Sequence, residues 1–360
     1  MLNSLLKRKN TEVFLAVDIG TSFIKLMELD TSGPKPILLA AGMAPTPANA
    51  ITNNIITAPQ KVADAIKTII EANEMSASKA CIAIPGPCAF IKKITMGYSS
   101  EKELANLIFF EAANYIPHSV KAVKLDYQVL SADPEGSMDV LLVAVKNEII
   151  ESYIAVLSLA GLEPAIADID YFALENMFEL NYPDVKDKTI TLIDIGSKFT
   201  GINIIQRGQT LFTGDVSVGG RLYTDALYES LSLDPAVAEQ VKAGNIPAEL
   251  DQNLVHETLD RVTEHISSEL HRQLGFFWNA SGTDQKIEAI FVCGGSAKIP
   301  GLLNELSAKT GISCQAVDPF KCVQCGENFD PDFISEISLA MGISVGLATR
   351  RFGDKDKVIN

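Results

Sequence analysis

The sequence predicts an α/β chain of two similar lobes, and three observations carry the prediction. Val13 to Val17 form an apolar run that leads straight into Asp18-Ile19-Gly20-Thr21-Ser22, with Lys25 seven positions after the aspartate. Thr189 to Ile193 repeat the run and lead into Asp194-Ile195-Gly196-Ser197-Lys198, so the pattern occurs once in each half. At 360 residues the chain is long enough for two domains with separate cores. An apolar run without alternation reads as a buried strand, and its carboxyl end is where an α/β sheet presents groups to ligands. Asp18 at that end suits a magnesium partner. Gly20 lets the backbone turn sharply, so that the amides of Thr21, Ser22 and Phe23 point inward onto phosphate oxygens, and Lys25 adds a point charge there. One such turn is common in loops; its duplication implies two lobes facing each other across a nucleotide.

Composition narrows the function classes. A formal charge of −15 argues against a nucleic-acid surface, and no basic stripe with interleaved aromatic residues occurs. Leu2, Leu5 and Leu6 precede Lys7, Arg8 and Lys9, the reverse of a secretory signal and too short to span a bilayer. Ile337 to Ala348 is also short and carries two serines. No direct transmembrane segment is expected, and the chain reads as cytoplasmic; contact of the N-terminal leucines and cations with an anionic membrane is the weaker alternative. Of six cysteines, Cys81, Cys293 and Cys314 lie in apolar contexts and read as core residues. Cys322-Val323-Gln324-Cys325 provides half of a zinc site that no second pair completes, and it reads as a reduced surface loop. His118, His256, His265 and His271 form no ligand-spaced motif.

Taken in order, Ile24 to Glu28 and Ile37 to Gly42 continue the first strand as a meander, separated by the turn Pro34-Lys35-Pro36. Gln60 to Asn73 places Val62, Ala65, Ile66, Ile69 and Ile70 at helical spacing, and Lys79 to Ile84 returns as a strand. At Pro85-Gly86-Pro87 the pattern changes to an inserted α+β module of about 75 residues. It comprises a strand from Ala89 to Ile94, a helix capped by Ser100 with Glu103 three places on, two strands around Asp133 to Gly136, and a closing helix from Lys146 to Ala160. Phe109, Phe110, Tyr115 and Ile116 give more apolar surface than one helix face needs; core packing accounts for most of it, with a groove as the alternative.

Ala165 to Ile169 is a further strand, ending at Asp170 before a helix from Phe172 to Leu180. Asp170 thus reaches the same strand-end layer as Asp18 and Asp194, where it can orient water, and it also suits a helix N-cap. In the second half, strands from Gly201 to Ile205 and Gln209 to Gly214 precede Val218-Gly219-Gly220 and a helix from Tyr223 to Leu231. Glu239 and Lys242 lie three apart on the helix Pro235 to Ala243, a spacing for two ribose hydroxyls or for an ordinary ion pair. Pro247 to Asn279 reads as one long helix, Ala289 to Cys293 as a strand, and Gly294-Gly295-Ser296 as a turn open to close approach, with Lys298 beside it. Gly342 and Gly346 sit four apart on a helix from Ile334 to Thr349, which they allow to pack closely.

These turns in this order resemble the nucleotide site of the actin-like (ribonuclease H-like) ATPase superfamily, a two-lobe fold. Within it the chain is similar to the PilM family of type IV pilus assembly, whose relative is FtsA. Val17 to Leu26, Ile84-Pro85-Gly86, Glu111 to Pro117, Ala160 to Pro164, Phe172 to Asn176, Asp194 to Gly196, Val218 to Gly220 and Gly294 to Leu302 carry that resemblance. The insert resembles subdomain 1C of those proteins. The organisation expected is a first lobe over 1–84, the insert over 85–160, a return over 161–187, a second lobe over 188–333, and a helix over 334–360 leading back to the first lobe with a polar tail.

The resemblance implies ATP bound with Mg2+, and an inner-membrane partner, PilN, whose cytoplasmic N-terminal peptide is held beside the insert; self-association is left open. It implies that Asp18 and Asp194 hold the hydrated metal, that Gly20, Thr21, Ser22, Lys25, Gly196, Ser197 and Lys198 surround phosphate, and that Asp170 positions water. Glu239 and Lys242 become ribose and adenine contacts, Gly219, Gly220, Gly294, Gly295 and Ser296 line the nucleotide, and Lys298 lies beside adenine. Tyr115, Ile116 and Pro117 are the groove residues it suggests. The sequence departs from the pattern at Lys198, Phe199 and Lys321 to Asp330, which bears on hydrolysis more than on binding. A small-molecule kinase is one rival, though the insert supplies no acceptor base. An FtsA-like filament protein is another, though Gly353 to Asn360 is charged and short where that protein carries a membrane-tethering helix.

Overall fold

The computed structural model describes residues 12–281 and 286–352; the N-terminal leucines and cations and the polar tail from Gly353 lie outside them. The chain forms two compact units. Unit 1 holds the chain up to Ile19, Phe23–Ala173 and the chain from Gly346; unit 2 holds Gly20–Ser22 and Leu174–Val345.

In unit 1, β1 (Leu15–Ile19), β2 (Phe23–Asp30) and β3 (Ile37–Pro45) form the expected meander. A small hairpin of β4 (Ile51–Thr52) and β5 (Ile55–Ile56) precedes α1 (Pro59–Ala72) and β6 (Lys79–Ile84). β6 pairs parallel with β1, which is therefore central and buried along its whole length, as its unbroken apolar run requires. The insert follows as β7 (Ala89–Gly97), α2 (Glu101–Ala112), β8 (Val123–Ala132) and β9 (Ser137–Lys146), an antiparallel sheet in the order β7-β9-β8. Its own core includes Ile94, Leu104, Ile108, Ala112, Val140 and Leu142. The Glu103 carboxylate accepts from the Ser100 amide and hydroxyl at 3.2 and 2.8 Å, forming the expected capping box.

The helix expected to close the insert, α3 (Asn147–Leu159), packs elsewhere. Its Tyr153, Val156 and Leu157 join the main core of unit 1 with Val62 and Ile66 of α1. The reason is topological: β10 (Glu163–Ile169) pairs parallel with β6, parallel neighbours need a crossover, and α3 is that crossover helix. The sheet order is β10-β6-β1-β2-β3.

From β10 the chain enters α4 (Asp170–Asn181), inside which unit 1 gives way to unit 2 after Ala173. That switch precedes the expected boundary at 187/188 because the later half of α4 packs on the second sheet, with Phe178 against Phe291 at 4.7 Å. β11 (Thr189–Ile195), β12 (Thr200–Gln206) and β13 (Gln209–Val216) repeat the meander. Three helices follow: α5 (Arg221–Leu231), α6 (Pro235–Lys242) and α7 (Gln252–Ser281). α7 starts five residues later than expected from the apolar spacing. Asp251 is the reason: its carboxylate accepts the amides of Asn253 and Leu254 at 3.0 and 3.2 Å, a side-chain cap at that point.

β14 (Ala289–Cys293), α8 (Leu302–Thr310) and β15 (Cys314–Ala316) complete a second sheet in the order β13-β12-β11-β14-β15. The single helix expected from Ile334 to Thr349 is instead α9 (Pro331–Ile337), a 3-10 turn over Ser338–Met341, and α10 (Gly342–Ala348). The Leu339 carbonyl accepts the Gly294 amide at 2.8 Å and the Cys293 thiol at 3.2 Å, which draws it out of the helical ladder. Pro331–Ala348 is the one stretch among the described residues long and apolar enough to cross a membrane, but it is broken at this turn and half buried in the protein. Unit 1 resumes at Gly346 rather than at 334. The two glycines do allow close packing: a Cβ on Gly346 would overlap the Ala173 carbonyl, and one on Gly342 the Cys293 sulfur.

Candidate functional site

In unit 1, Asp18 is the next-to-last residue of β1, directly across the ladder from Lys25 on β2. The Lys25 ammonium meets Asp18 Oδ2 at 2.5 Å with both side chains largely covered, so the lysine neutralises a buried carboxylate. Among the described residues the amides of Thr21 and Ser22 take part in no hydrogen bond, which leaves them as donors for an anion.

Asp170 opens α4. Its Oδ1 accepts the Tyr171 amide at 2.7 Å and its Oδ2 the Gly86 amide at 2.9 Å. The carboxylate thus ties the Pro85-Gly86 turn to the end of β10, and the Tyr171 ring fills the space where a Cβ on Gly86 would stand. The phenol of Tyr153 on α3 is pushed up first by burial, then by Cys88, Asp170 and Asp18. Sequence reasoning missed Tyr153, because its register on α3 gives no hint of the chemistry beneath it.

Unit 2 builds a denser arrangement. Three turns interlock at the end of β11. The Gly220 amide donates to the Gly196 carbonyl at 2.9 Å and the Arg221 amide to the Ser197 carbonyl at 2.8 Å. The Ser296 hydroxyl donates to the same Gly196 carbonyl at 3.0 Å. Side chains are excluded from the junction: a Cβ on Gly219 would lie 2.5 Å from the Ser197 carbonyl oxygen, and one on Gly220 would overlap the Ser296 hydroxyl. Gly294 has φ +94°, and a Cβ there would lie 2.5 Å from both Asp194 Oδ1 and the Ile195 carbonyl. Asp194 stands opposite Gly201 on β12, the position that Lys25 takes in unit 1.

This geometry divides the roles of the predicted residues. The Gly220 amide is already taken by Gly196, so Gly220 contributes shape rather than an amide donor. The Ser197 and Lys198 amides have no hydrogen-bond partner among the described residues and can meet phosphate. Gly295 and Lys298 are exposed at the turn after β14. On α6, Glu239 Oε2 meets Lys242 Nζ at 2.5 Å. A third residue, Thr224 of α5, donates from its hydroxyl to Glu239 Oε1 at 2.5 Å. Thr224 lies fifteen positions from Glu239, and only the packing of α5 on α6 brings them together.

Of the three groove residues, Ile116 is buried in the core of the insert, Tyr115 is half-buried beneath the Lys92 ammonium at 4.8 Å, and Pro117 is exposed. The uncovered apolar surface lies earlier, on Tyr98, Leu107, Phe109 and Phe110, with Phe110 76% exposed. Cys325 is exposed, and partial desolvation together with Asp318 pushes its thiol up, whereas the Cys322 amide donates to Asn181 Oδ1 at 2.7 Å.

Comparison with known proteins places this architecture. A family model described as type IV pilus assembly protein PilM matches residues 16–352. The solved structure of a PilM–PilN type IV pilus biogenesis complex is similar with a TM-score of 0.82 and 25% sequence identity, covering 93% of this chain and 97% of that one. The ethanolamine utilization protein EutJ from Carboxydothermus hydrogenoformans shares the fold with a TM-score of 0.58 at 18% identity, over 96% of this chain and 94% of that one. The fold is that of the actin-like ATPases, as the duplicated strand and turn predict. With the match extending over nearly all the described residues, the chain belongs to the type IV pilus assembly protein PilM family.

Proposed function

We propose that this chain is an ATP-binding adaptor of the inner-membrane platform that assembles type IV pili, and that it holds the cytoplasmic N-terminal peptide of PilN. The observation that carries the nucleotide part is the interlocked knot of Gly196, Gly219, Gly220, Gly294 and Ser296 in unit 2, beside the Glu239–Lys242 pair. Side-chain-free turns with unpaired amides at Ser197 and Lys198 are what a phosphate chain and a flat base require of a main chain. Family membership supports the peptide part, as does the PilM–PilN complex among the similar structures.

Magnesium fits this reading through water. The ion keeps several waters and needs only one or two carboxylates; among the described residues no group of three or more His, Cys, Asp or Glu could cage it directly. Asp18 and Asp194 would hold it in that hydrated form, and it would supply neutralisation of the phosphate charge. Lys25 would share its ammonium between Asp18 and phosphate, the Thr21, Ser22, Ser197 and Lys198 amides would donate to phosphate oxygens, and Lys298 would flank the base. Hydrolysis is slow at most in this reading. The Asp170 carboxylate, which would orient an attacking water, already accepts two backbone amides. ATP then acts as a bound state that sets the grip on the partner, at the cytoplasmic side of the inner membrane. Tyr115 and Pro117, with the exposed aromatics of α2, are the surface offered to the peptide.

Calorimetry with a synthetic PilN N-terminal peptide, with and without ATP, on wild type and Asp18→Ala tests the proposal. Tight binding by wild type, weakened in the variant when ATP is present, supports it. Peptide binding absent under every condition overturns the adaptor reading, and enzyme-like phosphate transfer to small alcohols or acids would replace it with a kinase.

A further inference from the structure

We propose that Thr224 is a positioning residue that sets Glu239 for the hydroxyl pair of a ribose, which makes the site selective for ribonucleotides. The inference rests on the nucleotide reading above and deepens it.

The argument is one of hydrogen-bond direction. A threonine hydroxyl has one proton to give and lone pairs to accept with, whereas a lysine ammonium only donates and an ionised carboxylate only accepts. Lys242 Nζ lies 3.3 Å from Thr224 Oγ1, 3.4 Å from the Gly220 carbonyl and 2.5 Å from Glu239 Oε2. With the ammonium on its accepting side, Thr224 turns its proton to Glu239 Oε1 at 2.5 Å rather than to the Gly220 carbonyl at 3.5 Å. Each oxygen of Glu239 therefore has one donor, and the plane of the carboxylate is fixed. The Lys242 side chain is only 14% exposed while that of Glu239 is 55% exposed, so the glutamate is the member of the pair open to a ligand.

A held, open, acceptor-only carboxylate is matched by two neighbouring hydroxyl donors, which the ribose of a nucleotide presents. A plain surface ion pair between residues three apart on α6 requires no third partner from α5. The network also reaches the Gly220 carbonyl, at the turn that closes on Gly196, so the fixed carboxylate is tied to the same knot that would seat the phosphates. Preorganisation of this kind raises affinity by removing the cost of ordering a long side chain on binding.

The test is calorimetric binding of ATP and of 2′,3′-dideoxyATP, both with magnesium, to wild type, Thr224→Val and Thr224→Ser. Thr224→Val keeps the shape and removes the hydroxyl; Thr224→Ser keeps the hydroxyl. The expected result is that Thr224→Val loses about tenfold in ATP affinity and less than twofold in dideoxyATP affinity, while Thr224→Ser binds both as wild type does. Loss of the two ligands in equal measure, or no loss of either, overturns the role of Thr224 while nucleotide binding stands. Failure of wild type to bind ATP at all overturns both the nucleotide reading and this inference.

Discussion

The two units share one strand order and differ in what they place across from the strand-end aspartate. In unit 1 the partner of Asp18 on the ladder is Lys25; in unit 2 the partner of Asp194 is Gly201. They differ as well in where the chain departs from the common plan. Unit 1 inserts its extra sheet between β6 and β10, and unit 2 inserts α5 and α6 between β13 and α7. The repeated part delivers a carboxylate and a turn of amides. The unrepeated parts supply everything that makes the halves unlike: an ion pair and an exposed aromatic helix in one, and a Thr224–Glu239–Lys242 network in the other.

Three substitutions and one titration sharpen this contrast, in order of expected size, with companion variants as controls. Lys25→Met leaves the Asp18 carboxylate covered without its cation and should cost about 3 kcal/mol by chemical denaturation. Adding Asp18→Asn should restore most of that loss, since the uncharged amide needs no counter-ion. Gly294→Ala forces a Cβ against Asp194 and the Ile195 carbonyl at a positive φ, so unit 2 should lose about 2 kcal/mol in the same measurement. Asp251→Ala removes the cap of α7 and should cost about 1 kcal/mol, seen as faster amide exchange over its first turn. α1, the corresponding long helix of unit 1, has Ala58 at its cap without a side-chain bond, so Ala58→Gly should change little there.

The smallest effect is a pH dependence confined to the insert. Hydrogen bonds from the Ser100 hydroxyl and then its amide hold the Glu103 carboxyl below its ordinary value of 4.5. A lowered value in the fold means that the contribution of the cap is present above the unfolded value and is lost as pH falls through the folded one. Amide exchange at the start of α2 should accelerate below about pH 4.5 in wild type, and Ser100→Ala should abolish that step.

Much of this was legible in the residues. β6 and β14 occupy the ranges that their apolar runs predict, and the capping box of α2 follows from Ser100 and Glu103. The parts that were not legible depend on distant partners. α3 has an amphipathic pattern that suits the insert, but only the parallel pairing of β10 with β6 assigns it to the main core. The apolar run from Ile334 to Thr349 reads as one helix, and its break comes from a carbonyl claimed by Gly294, some forty residues earlier. β4, β5 and β15 are two or three residues long, too short to carry a period. At the site, the aspartates and glycines announce themselves by repetition, whereas Tyr153 and Thr224 enter through packing alone.

The most direct test of the central proposal, that the repeated aspartates serve magnesium-dependent nucleotide binding, is equilibrium binding of ATP to wild type, Asp18→Ala and Asp194→Ala, with magnesium and in EDTA. The account predicts that each substitution weakens binding at least about tenfold with magnesium, and that the three proteins bind nearly alike without it. Magnesium-dependent binding as tight in both variants as in wild type would contradict it.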